Sequence, residues 1–181
     1  TFQTFAEIWL RDAGLANSTV AMRKSILDRD VLPKFGKRKL EEITPSQVLS
    51  LCEKIKERGA PATAVHAREI IQQVYRHAIS RGLKIDNPAD AVKASAIATF
   101  KPRERALTPG EIQTFFTVLD TVGTLPTLKL ALKFVLLTMC RKGELLQATW
   151  KEVDFDKATW TIPAERMKAR RQHVVYLSQQ A

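Results

Sequence analysis

Long hydrophobic runs, clustered cysteines and glycine-rich stretches are all scarce in this chain of 181 residues. No apolar run reaches the roughly 18 residues that a membrane-spanning helix needs. The first residues show no basic segment followed by an apolar one, so no secretory leader is expected. There are only two cysteines, Cys52 and Cys140. They lie far apart, each among apolar neighbours, and neither has a second Cys nearby or a His at metal-ligand spacing. Both read as buried core thiols rather than as a disulfide or a metal site, which fits a reducing, cytoplasmic setting. With 7 Gly, 8 Pro and 45% hydrophobic residues, the composition is that of a folded protein, not a disordered one. Acid is the remaining shortage: 19 Asp and Glu stand against 29 Lys and Arg, a net charge of +10.

That excess is spread along the chain rather than gathered in a tail. Diffuse positive charge on folded domains points to a polyanionic partner, DNA or RNA first, although a basic surface without a partner would look the same.

Helical periodicity dominates the first four-fifths of the sequence. Phe2, Phe5, Ile8 and Trp9 recur at helical spacing. Asn17 and Ser18 suit the start of a second helix, predicted to run to about Val31 and to stop before Pro33. Thr44, Pro45 and Gln47 form a capping box for a third, ended by Gly59. Ala67, Ile71, Val74 and Ala78 make the stripe of a fourth helix over about Pro61 to Arg81, stopped by Gly82. These four helices predict a bundle over residues 1–93. Asn87-Pro88 signals a turn. Residues 94–107, with Lys101, Pro102, Arg103 and Arg105, read as a basic interdomain linker. Such a linker could cross a DNA backbone, or be a solvated loop.

Thr108-Pro109-Gly110-Glu111 repeats the capping-box design and opens a second domain over residues 108–181. A helix after Pro126 is apolar nearly all round, which predicts a place in the middle of that domain. A short helix is expected from about Lys142 to Ala148. The pattern then changes to period two. Val153 with Phe155, then Trp160 with Ile162, then His173 to Leu177 predict a three-stranded antiparallel sheet with a long second connection. The fold class is therefore mainly α with a small antiparallel β-sheet.

Two segments could carry chemistry. In Thr138 to Leu145, TMCRKGEL, an apolar helix ends and Arg141 follows at once, with Gly143 allowing a bend and Glu144 three residues on. A guanidinium held that way can grip a phosphate through two parallel hydrogen bonds, with Glu144 orienting it. The same pair could equally be a cap at the junction. In Glu165 to Ser178, ERMKARRQHVVYLS, the basic residues Arg166, Lys168, Arg170 and Arg171 sit between two strands. A basic hairpin loop can enter a DNA groove, or be a solvated tip.

Arg-x-Gly-Glu-Leu after an apolar helix, then TWKEVDFD, then TWTIPAERMK and a basic loop, together resemble the catalytic domain of tyrosine-type site-specific recombinases of the phage integrase family, especially those of prophages and genomic islands. The dense resemblance covers about residues 126–181. The upstream bundle resembles the family's core-binding domain, so the chain reads as that helical domain followed by the N-terminal part of an α+β catalytic domain. The resemblance implies strand cleavage and rejoining through a 3′-phosphotyrosine. It makes Arg141 the first catalytic arginine, Lys168 the hairpin lysine that protonates the leaving 5′ oxygen, and Glu144 the acid that supports the arginine. Arg103, Arg105, Arg166, Arg170 and Arg171 become DNA contacts. The implied partner is double-stranded DNA in the bacterial cytoplasm, with tetramer formation on DNA at full length; no membrane, metal or other cofactor is implied. The family's His-x-x-Arg pair and nucleophilic tyrosine have no counterpart here: Tyr176 stands three residues after His173, where Arg would be needed, and neither Tyr75 nor Tyr176 has the nucleophile's context, so the chain by itself is expected to bind DNA without cutting it. Met139 stands where many members have Gly, and Tyr176 where many have Pro. A non-catalytic helical DNA-binding module or regulator would explain the charge and the bundle but not Arg141 and Lys168 in this setting. A helical interaction scaffold would leave the charge unexplained as well.

Overall fold

The computed structural model describes residues 1–102 and 104–181, and the chain divides into two compact units, Thr1–Arg103 and Glu104–Ala181. The first is helical: α1 (Phe2–Asp12), α2 (Asn17–Ile26), α3 (Leu32–Phe35), α4 (Pro45–Glu57), α5 (Pro61–Ser80) and α6 (Ala94–Ile97). The second holds α7 (Pro109–Thr121), α8 (Pro126–Thr138), α9 (Lys142–Leu146), β1 (Val153–Asp154), β2 (Thr159–Ile162) and β3 (His173–Tyr176).

Local chemistry sets most helix ends in the first unit. The Thr44 hydroxyl accepts from Gln47 N at 3.4 Å and Gln47 Oε1 accepts from Thr44 N at 3.1 Å, closing the box that starts α4. Gly59 and Gly82, with φ of +85° and +94°, turn the chain out of α4 and α5 in a conformation that L side chains resist. Phe2, Trp9, Phe35, Val48, Ile70, Ile71 and Val74 then meet in one core. Tyr75 is fully buried there, and its hydroxyl donates to the Leu40 carbonyl at 2.6 Å.

Three expectations are corrected here. α2 has Ala16 as N-cap and no side-chain cap bond, because Asn17 already lies inside the helix. The helix does not stop before Pro33. A π turn, Leu27–Val31, widens the ladder, with Leu32 N–H bonded to the Leu27 carbonyl, and α3 restarts with Pro33 in its first turn. A missing N–H has no helical partner to lose there. The span assigned to the linker also begins inside the first unit: α6 packs on α4 and α5, and Ile97 is buried in their core. One helical turn is too short to show a periodic stripe. The Asn87-Pro88 turn ahead of it is tied to α5, since Arg68 donates to the Ala89 and Val92 carbonyls, each at 2.8 Å.

In the second unit, Thr108 and Glu111 close the box that opens α7. The sheet runs β1-β2-β3, antiparallel throughout, with Trp160 opposite both Val153 and Val175. Trp160 and Ile162 turn to a small core with Cys140 and Val175, and Phe134 and Val135 of α8 pack on it. The rest of α8 is not enclosed. Leu128, Leu130, Leu132 and Leu137 are exposed among the described residues, which corrects the expected central placement. All-round apolarity states what the helix buries best, and the described elements cover one side of it. Phe155 also leaves the predicted strand: it lies in the β1–β2 turn, exposed, and stacks on Trp150 at 6.1 Å.

Tyr75→Phe removes a buried donor and leaves the helical unit otherwise unchanged. We expect a loss of about 1 kcal/mol in stability, read as an earlier urea midpoint at unchanged slope.

Candidate functional site

The site is built at the junction of α8 and α9. α8 ends at Thr138, and Met139 turns the chain with φ of +53°. Met139 occupies the left-handed conformation, which only glycine adopts without steric cost. Gly143, expected to make the bend, has no positive φ and lies inside α9.

The turn delivers Arg141 as the N-cap of α9 and Glu144 as its third residue. Glu144 accepts twice from Arg141: Oε2 from the backbone N–H at 2.8 Å and Oε1 from the guanidinium at 2.7 Å. The Arg141 backbone N–H outweighs burial and, helped by the guanidinium, holds the Glu144 carboxyl below its usual range. The carboxylate side chain is 8% exposed while that of Arg141 is 74% exposed. Arg141 is thus pinned on one edge by a buried anion, and its other edge faces out with donors that make no bond among the described residues. Of the two readings left open by the spacing, the structure shows the cap, and it leaves the outer edge of the guanidinium exposed.

Lys168 lies in the β2–β3 connection, exposed and without an ion pair among the described residues. Arg170 and Arg171 are exposed beside it, and Arg170 turns the loop with φ of +51°. Arg105 is exposed but bound to Glu111 at 2.6 Å. Arg103 lies outside the described residues.

Arg166 differs from the other loop cations. Its side chain is 16% exposed, it pairs with Glu152, and it donates to the Glu144 carbonyl at 3.2 Å. The same Glu152 accepts from Trp160 Nε1 at 3.0 Å. Burial raises the Glu152 carboxyl, but Trp160, Thr149 and Arg166 together outweigh it and hold the group below its usual range. Arg166 therefore binds protein, not solvent, and its place among the outward cations of the loop is corrected. Its backbone is in a 3-10 turn, Ala164–Arg166, whose direction strand alternation does not reveal. The sequence reads Trp160 as a strand residue but not as the partner of Glu152; the acid sits in the TWKEVDFD segment, where nothing local marks it as an acceptor for an indole.

Tyr75 is buried in the other unit, where burial pushes its phenol well above the ordinary value, and Tyr176 is exposed on β3. Among the described residues no group of His, Cys, Asp and Glu could hold a metal ion, and no helix is long and apolar enough to cross a membrane.

Two family models match: the phage integrase central domain over residues 2–95 and the phage integrase family over residues 105–181. Prophage integrase IntZ of Escherichia coli (strain K12) is 37% identical over 183 residues, which is 99% of this chain and 45% of that protein. The integrase of Enterobacteria phage P4 is 30% identical over 168 residues, 86% of this chain and 38% of that protein. The chain thus spans less than half the length of these curated relatives. A lambda integrase tetramer bound to a Holliday junction shares the fold with a TM-score of 0.79 at 20% identity, over 97% of this chain and 49% of the other. The Tn1549 transposon integrase in complex with circular intermediate DNA does so at 0.77 and 16% identity, over 99% of this chain and 61% of the other.

A left-handed non-glycine residue costs roughly 1–2 kcal/mol, and the extra freedom of an unfolded glycine offsets about 0.5–1 kcal/mol of that. Met139 is 81% exposed, so little packing is lost on its removal. Met139→Gly is therefore expected to stabilise the second unit by about 0.5–1 kcal/mol, measured as a raised melting temperature.

Proposed function

This chain belongs to the phage integrase family, and we propose that it supplies the DNA-gripping helical domain and the first arginine and the lysine of a site-specific recombinase that cuts and rejoins DNA through a 3′-phosphotyrosine. The observation that carries the reading is Arg141, fixed by the buried Glu144 and open on its other edge.

In the proposed reaction a tyrosine oxygen, from outside the residues of this chain, attacks the scissile phosphorus. The bond to the 5′ oxygen breaks as the bond to tyrosine forms. Arg141 lies ready to take the charge that builds on a non-bridging oxygen, and being held beforehand it need not reorganise. Lys168 gives its proton to the departing 5′ oxygen. Attack by another strand's 5′ hydroxyl reverses the step and restores the phosphodiester, so the bond energy stays in the covalent intermediate and no nucleotide cofactor is called for.

The helical unit, with α6 as part of it, and the second domain, residues 108–181, are proposed to hold duplex DNA together with the basic segment between them, in which Arg103 and Arg105 would meet phosphates. Arg170 and Arg171 would do so from the hairpin loop. Self-association into a tetramer on DNA belongs to the same proposal, as does a DNA-associated place in the bacterial cytoplasm. The chain alone is expected to bind DNA and form no covalent adduct, because Tyr75 is buried in the helical core and neither it nor the exposed Tyr176 of β3 has the sequence context of the family's nucleophile.

Two measurements follow. Duplex affinity of this chain, read by fluorescence anisotropy, should fall steeply between about 50 and 200 mM salt, since phosphate contacts release counterions; a flat response would sink the clamp. In the full-length protein Arg141→Ala should slow covalent adduct formation on nicked suicide substrates by about 10²–10³. Lys168→Ala should slow the oxygen-bridged substrate more than one with sulfur at the leaving position, because a thiolate departs without a proton.

A further inference from the structure

We infer that Arg166 is a positioning residue: it ties the loop bearing Lys168 to the helix that presents Arg141, and so sets the separation at which the two cations meet one phosphate. This rests on the roles proposed above for Arg141 and Lys168.

Arg166 is the basic residue of its loop that turns inward. One arm of its fork donates to the backbone carbonyl of Glu144, the residue whose side chain pins Arg141. The other arm pairs with Glu152, which is itself anchored by the indole of the fully buried Trp160 and by the Thr149 hydroxyl. A rigid, planar guanidinium is suited to hold two acceptors at a fixed spacing, which a point-charge ammonium cannot do.

The loop side is equally constrained. Met167 packs into the small core beside Trp160, and its N–H donates to the Ala164 carbonyl at 3.1 Å. Lys168 is the next residue and the first of the exposed run, and Arg170 N–H closes back on the Met167 carbonyl at 3.0 Å. One residue, the packed Met167, separates Arg166 from Lys168.

Stability alone does not account for the arrangement. A buried ion pair gives little net stability over apolar packing, and Arg166 Nε is buried with no partner among the described residues. What the fork provides is a link between the loop that carries Lys168 and the helix that Arg141 caps. A displacement near 1 Å at such a site costs up to about 10²-fold in rate.

The test compares Arg166→Lys with wild type in the full-length protein. Lysine keeps a charge against Glu152 but cannot span both acceptors. Adduct formation on the oxygen-bridged suicide substrate should fall about 10- to 100-fold, while the sulfur-bridged substrate recovers most of that loss, because a misplaced Lys168 no longer matters when the leaving group needs no proton. Affinity for intact duplex should stay within about twofold and its salt slope should not change, since Arg166 is turned inward onto Glu152 and the Glu144 carbonyl. Glu152→Gln keeps an acceptor for Trp160 and Arg166 without the charge, and should show the same rescue with a smaller loss. Melting curves of both variants establish that they are folded. Equal loss on both substrates, no loss on either, or a drop in affinity that accounts for the rate would overturn the inference. A wild-type protein that forms no adduct would instead remove the recombinase reading, and the inference with it.

Discussion

The second unit depends on one buried carboxylate. Glu144 takes the Arg141 backbone N–H and the Arg141 guanidinium at once, so it caps α9 and aims the arginine with the same two oxygens. An unpaired carboxylate at that depth would be costly, and the capping N–H, with the guanidinium behind it, outweighs burial and holds the group below its usual range. The α8–α9 turn must therefore deliver Arg141 to the helix start, and it does so through a left-handed methionine.

The positive charge of the chain divides into two kinds. Some cations are engaged internally: Arg68 on the carbonyls that dock the Asn87-Pro88 turn, Arg29 and Arg58 on the buried Asp30, Arg166 on Glu152. Burial pushes Asp30 up, but the hydrogen bonds and charges of its two arginines outweigh that and keep it below its usual range. Others, Lys168, Arg170 and Arg171 among them, stand exposed and without ion pairs among the described residues. Net charge counts both kinds alike, yet only the second can displace counterions from a polyanion.

Legibility in the sequence followed the range of the interaction. The Thr44–Gln47 and Thr108–Glu111 boxes, the glycine stops and the strand alternation around Trp160 are decided within a few residues, and each was readable. The Arg141–Glu144 pair was readable too, at a spacing of three, although its exposure was not. Pro33 misled because a π turn upstream moved the helix start, and Ile97 because its partners lie on α4 and α5, helices that end well before it in sequence. Arg166 looked like its exposed neighbours, since the side to which a single 3-10 turn points depends on Glu152 and Trp160 in space. The all-round apolarity of α8 predicted burial that the described elements supply on one face only.

The central claim is that Glu144 acts through Arg141. A double-mutant cycle on adduct formation by the full-length protein tests it most directly, using Glu144→Gln, Arg141→Ala and the two combined. If the carboxylate serves to hold the guanidinium, the combined variant is no slower than Arg141→Ala alone. If the two losses multiply, Glu144 and Arg141 act independently, and the account of the site is contradicted.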